Sequence, residues 1–96
     1  MAKKILLIHG PNLNLLGKRE PDIYGKFSLD KINDSLLKVA KKEKIQLKIV
    51  QSNHEGEIVD LIGKEGSKCE VIIINPAAYT HTSVAIRDAI AASATP

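Results

Sequence analysis

The sequence predicts an α/β domain, a three-layer sandwich built on a parallel sheet. Three observations carry this. Strand-like and helix-like stretches alternate along the chain, and Ile5-Leu6-Leu7-Ile8 and Val71-Ile72-Ile73-Ile74 are continuous aliphatic runs of the kind that a parallel sheet buries on both faces. Each strand candidate also runs directly into a Gly-, Pro- or Asn-rich turn. At 96 residues the chain has room for one domain.

The first strand is Ile5 to Ile8. Ser28 is a good N-cap, Asp30 suits a first turn, and Leu29, Ile32, Leu36, Val39 and Ala40 recur at helical spacing before the basic end Lys41, Lys42 and Lys44. A helix is expected over residues 29–43. Ile45, Leu47 and Ile49 alternate with Gln46 and Lys48, as on an edge strand with one wet face. Ser52 followed by Glu55 resembles a capping box for a helix carrying Ile58, Leu61 and Ile62, with Gly66 as its stop. Val71 to Ile74 reads as a third, fully buried strand. Thr80 or Thr82 can cap a last helix carrying Val84, Ile86, Ala89 and Ile90, which Pro96 cannot extend.

The order βαβαβα with right-handed crossovers gives a parallel three-layer sandwich, with strand order 2-1-3 if the sheet is flavodoxin-like. Strand three is then a bare edge of four large aliphatics, an aggregation liability. Either a partner covers that edge or the natural chain continues past Pro96, and in the second case the single domain expected over residues 1–96 lacks its C-terminal strands.

Composition excludes several classes. Apolar residues make 44% and charged residues 26%, which suits a folded globular chain. The net charge of +3 comes from 12 Lys and 2 Arg in runs of no more than two, so no nucleic-acid stripe is expected. Cys69 is alone and no His or Cys completes a metal-ligand spacing, so no metal and a reduced, cytoplasmic setting are expected. Neither a signal peptide nor a membrane span is legible.

Function is sought where the strands end. His9-Gly10-Pro11-Asn12-Leu13-Asn14, Gln51-Ser52-Asn53-His54-Glu55 and Asn75 through Ser83 would lie together at the carboxyl edge, where open α/β sheets bind ligands. Ser52, Asn53 and His54 read as turn formers and caps. The 18 residues from Gly10 to Phe27 show no periodicity and read as a lid or binding loop holding Arg19 and Tyr24. For a tyrosine to act as a base at pH 7 costs about 4 kcal/mol, from a reference pKa of about 10. A guanidinium within about 4 Å offsets roughly that much, so Arg19 can supply the charge Tyr24 would need. His81, near the start of the last helix, reads as a neutral, hydroxyl-binding group, and Asn75 either as an amide offered to the same ligand or as a turn device before Pro76. Bulky Leu13, Leu15 and Leu16 stand where a phosphate cradle wants glycine, which argues against dinucleotide or NTP binding.

Three blocks, H-G-P-N-L-N-L-L-G-x-R-E-P-x-x-Y-G from His9, Q-S-N-H-E-G-E from Gln51 and I-I-I-N-P-A-A-Y-T-H-T-S-V-A-I-R-D-A from Ile72, resemble type II 3-dehydroquinate dehydratase over essentially the whole chain. The resemblance implies a cofactor-free hydro-lyase of the shikimate pathway, serving chorismate and aromatic amino acid biosynthesis. It acts on the small molecule 3-dehydroquinate by anti elimination through an enolate. It matches Tyr24 to the base, Arg19 to the cation that acidifies it, and Asn12, beside Pro11, to the amide that holds a water against the enolate oxygen. Pro11, Asn75 and His81 match substrate-binding positions, and Asp88 a residue that reaches a neighbouring subunit's site. It also implies a homo-oligomer of trimers grouped into dodecamers. Family members continue through a strand, a general-acid histidine and substrate-clamping arginines that do not follow Pro96 here. The alternatives are a truncated non-catalytic assembly subunit and a small-molecule or flavin-binding module.

Overall fold

In the computed structural model, residues 3–25 and 27–96 are described, Tyr24 by its backbone alone. The chain order is β1 (Lys3–His9), α1 (Pro21–Tyr24), α2 (Leu29–Lys42), β2 (Ile45–Gln51), α3 (Glu55–Glu65), β3 (Val71–Asn75) and α4 (Val84–Ser93). The sheet is β2-β1-β3 and wholly parallel, the order of the flavodoxin-like case. Leu6 pairs with Lys48 on one side and with Ile72 on the other.

The order explains the layers. A right-handed crossover from β1 to β2 runs one way across the sheet and the crossover from β2 to β3 runs back, so their helices fall on opposite faces. Leu6 and Ile8 of β1 are fully buried against Ile58 and Ile62 of α3 and Ile86 of α4. Leu7 alternates to the other face. It too is buried, as are Leu29 and Ala40 of α2, the helix that contacts β2.

Four local expectations are corrected. Ser52 does not cap α3, whose N-cap is His54; instead the Ser52 hydroxyl accepts the His54 N–H at 3.0 Å in a turn that precedes the helix. Neither Thr80 nor Thr82 caps α4, because residues 77–81 form a 3-10 turn and Ser83 accepts the Ile86 N–H at 3.0 Å. The loop after β1 is not featureless: it holds a 3-10 turn at Leu13–Leu15 and the four-residue α1. Finally, β3 is not fully buried. It has one neighbour in the sheet, and Ile73 is 49% exposed. The Ile72 N–H of this edge strand donates to the Pro96 carbonyl at 2.7 Å. Among the described residues no helix is long and apolar enough to cross a membrane.

Candidate active site at the carboxyl edge

All three strands end on one side of the sheet, so their loops meet there. Where β1 stops, the Gly10 N–H donates to the Asn75 carbonyl at 2.8 Å. A Cβ on Gly10 would lie 2.7 Å from the Pro76 carbonyl carbon and oxygen, so only glycine lets the first and third loops touch. The second loop is bound in by the Ser52 N–H, which donates to the His9 carbonyl at 3.0 Å. His9 itself is buried, its Nε2 donating to Asn33 Oδ1 of α2 at 2.9 Å.

Between the first and third loops lies a cleft of about 530 Å³, within the size range of small-molecule sites. Leu13, Leu15 and Leu16 give it an apolar wall, and Asn12, Arg19 and Asn75 bring polar groups to it. Two residues of its rim have left-handed backbone, Asn12 at φ 66° and Ala77 at φ 51°. Asparagine tolerates that region, whereas alanine is held there at a cost of roughly 1 to 3 kcal/mol. Asn75 helps to hold it: its Oδ1 accepts the Ala77 N–H at 3.0 Å, which leaves the Asn75 NH2 as the group it can offer a ligand.

Arg19 enters the cleft from the loop before α1. Its Nε lies 3.4 Å from the Glu20 carboxylate, both side chains being half exposed. The next residue, Glu20, is the N-cap of α1 in left-handed backbone and Pro21 opens the helix, so a single helical turn separates Arg19 from Tyr24. The Tyr24 side chain lies outside the described residues.

The expected site residues thus fall into two groups. Pro11, Asn12, Arg19 and Asn75 share the cleft. His81 does not join them: it lines a neighbouring hollow of about 340 Å³ with Tyr79, Thr82 and Arg87. Asp88 is exposed on α4 and lines neither. No group of described residues could hold a metal ion. Asn53 reads in the sequence as a turn former and Gln51 carries no role there, yet Asn53 Oδ1 accepts both the Asn12 N–H at 2.9 Å and Gln51 Nε2 at 3.1 Å. No local signal could have found them, because the decisive bond joins residues 41 apart in sequence.

A flavodoxin-like sheet with a part-apolar, part-amide cleft at its carboxyl edge defines a class of small-molecule site. The chain belongs to the class II dehydroquinase family, whose sequence model matches residues 3–96. It is 59% identical over 92 residues to the 3-dehydroquinate dehydratase of Acaryochloris marina, covering 96% of this chain and 62% of that protein. It is 56% identical over 93 residues to that of Geotalea daltonii, covering 97% and 65%. The crystal structure of the type II dehydroquinase from Butyrivibrio crossotus superposes with a TM-score of 0.92 at 45% identity, covering 96% of this chain and 64% of that one. The chain therefore spans just under two thirds of the length of these relatives.

Proposed function

We propose that this chain carries the first-loop half of a type II 3-dehydroquinate dehydratase site and acts in the anti elimination of water from 3-dehydroquinate to 3-dehydroshikimate, without a cofactor. The observation that carries the reading is the convergence of Pro11, Asn12, Arg19 and Asn75 on one cleft in a chain of this family. Tyr24, as phenolate, takes the proton from the carbon next to the ketone. The C–H pair becomes the C=C bond of the enolate as the carbonyl π pair moves to the ketone oxygen, and a water held by the Asn12 amide stabilises the enolate so formed. The enolate then re-forms the ketone as the C–O bond of the departing hydroxyl breaks, and a proton delivered to that oxygen completes the loss of water.

Arg19 supplies positive charge beside the phenol, Asn75 an amide N–H donor to the ring substituents, and Pro11 an apolar contact. His81 binds substrate from the adjacent hollow. Asp88, exposed on α4, reaches the site of a neighbouring copy within trimers that group into dodecamers, and the protein works in the cytoplasm. Supporting the cation's role is the short path from Arg19 to Tyr24 across one helical turn.

The test is the appearance of the conjugated enone of the product, followed by its ultraviolet absorbance, with the purified protein and 3-dehydroquinate. Turnover is expected, with Tyr24→Phe lowering kcat by orders of magnitude while KM stays close to the parent's, since only the ionisable hydroxyl is lost. A protein that assembles yet leaves 3-dehydroquinate unchanged is the non-catalytic subunit instead. Thermal stabilisation by flavin and none by dehydroquinate would point to a binding module.

A further inference from the structure

The middle loop, Gln51 to Glu55, has no part in the chemistry above, yet its side chains hold the residue that does. We infer that Asn53 is a positioning residue for Asn12, with Gln51 orienting it; the inference rests on the assignment of Asn12 to the enolate oxygen. Asn12 sits in left-handed backbone at φ 66°, ψ 0°, with no capping bond from its own side chain. Its backbone N–H is bound from another strand's loop, by Asn53 Oδ1 at 2.9 Å.

The chemistry fixes which way each amide faces. A backbone N–H can only donate, so Asn53 must present oxygen to Asn12; the Gly10 carbonyl can only accept, so Gln51 must present nitrogen to it, at 3.1 Å. The same Gln51 nitrogen donates to Asn53 Oδ1 at 3.1 Å, so both lone pairs of that oxygen are occupied. Tyr79 completes the bracket from the third loop, its hydroxyl donating to the Asn53 backbone carbonyl at 2.9 Å. Asn53 is therefore tied to all three loops, and it holds the Asn12 N–H while the Leu15 N–H donates to the Asn12 carbonyl at 2.9 Å. A water in the oxygen's place would accept from the same two donors, but it would lack the covalent tether to the second loop that fixes the Asn53 side chain.

Asn53→Ala removes the acceptor, whereas Asn53→Asp keeps an oxygen for both donors. Two readouts decide. Hydrogen exchange at the Asn12 amide, followed by NMR, is expected to speed up about tenfold or more in Asn53→Ala and to stay near the parent rate in Asn53→Asp. In steady-state kinetics with 3-dehydroquinate, Asn53→Ala is expected to lower kcat about tenfold to a hundredfold with little change in KM, since small displacements of a transition-state contact cost that much. Asn53→Asp restores most of it. The loss should also vanish in an Asn12→Ala background, because Asn53 acts through Asn12. Unchanged exchange at Asn12, or losses that add across the double variant, overturns the inference. If Asn12→Ala alone turns over normally, the assignment of Asn12 fails and the inference falls with it; if Asn12→Ala is impaired and Asn53→Ala is not, only the inference fails.

Discussion

Gly10 is the point where two loops press together, and its hydrogen atom is what the contact leaves room for. Backbone, which cannot swing away, occupies the place a methyl group would need. Gly10→Ala should therefore destabilise the fold by about 1 to 3 kcal/mol and widen the cleft, seen as a lower denaturant midpoint with an unchanged slope. Arg19 makes a prediction of a different kind. A base works when deprotonated, so the limb of the rate profile that rises with pH marks its ionisation. On the proposed roles, removing the cation beside the Tyr24 phenol moves that limb to higher pH. Arg19→Ala is expected to shift it upward by about 1 to 3 pH units, and an unmoved limb would mean the guanidinium does not act on the base. At this scale the sequence was informative about chemistry and silent about support. Arg19 and Asn75 could be named because a long loop and a strand end point to them, and Asn12 through the family resemblance. Asn33, Gln51 and Asn53 could not, because each is held in place by a partner at least 24 residues away or serves one that is.

Helix ends show where local reading suffices. Ser28 accepts the Lys31 N–H at 3.2 Å and caps α2 as its sequence neighbourhood indicates. For α4 the same rule pointed one to three residues too early, because Pro76 opens a 3-10 turn that consumes Thr80 and leaves Thr82 as its closing residue. Ser83→Ala should accordingly cost about 1 kcal/mol in urea unfolding, while Thr82→Ala should cost distinctly less, its hydroxyl donating only a long 3.5 Å bond to the Ala78 carbonyl. Equal losses would mean that the cap is shared between them. The apolar stripe of α2 is also only partly realised: Leu29 and Ala40 are buried, while Leu36 and Val39 remain 37% and 57% exposed. Periodicity gives the face that a helix turns toward the sheet, but how much of it is covered depends on the width of the sheet beneath.

Across the whole molecule, alternation and handedness give a parallel sheet, the flavodoxin-like order β2-β1-β3 is one of those they allow, and the parallel arrangement places the three polar loops on one edge. The core is small and asymmetric, with Leu6, Ile8, Ile58, Ile62 and Ile86 packed on the face that α3 and α4 cover. Ile62→Ala should cost about 2 to 5 kcal/mol, enough in a fold of this size to leave a large unfolded fraction by circular dichroism. A loss below 1 kcal/mol would mean that this cluster is not the core. The edge strand was anticipated as bare but not as half wet; the same four aliphatics that read as buried in isolation lose one neighbour when the sheet has three strands.

What matters most is whether the carboxyl-edge cleft is where the substrate ring sits. A crystal structure with a non-reacting analogue of 3-dehydroquinate measures this directly. The ring should lie between the Leu13–Leu16 wall and Asn75, its ketone oxygen facing Asn12 and the acidic C–H facing Tyr24, with Arg19 against the phenol. An analogue bound elsewhere, or Tyr24 turned away from both the ring and Arg19, would contradict the account.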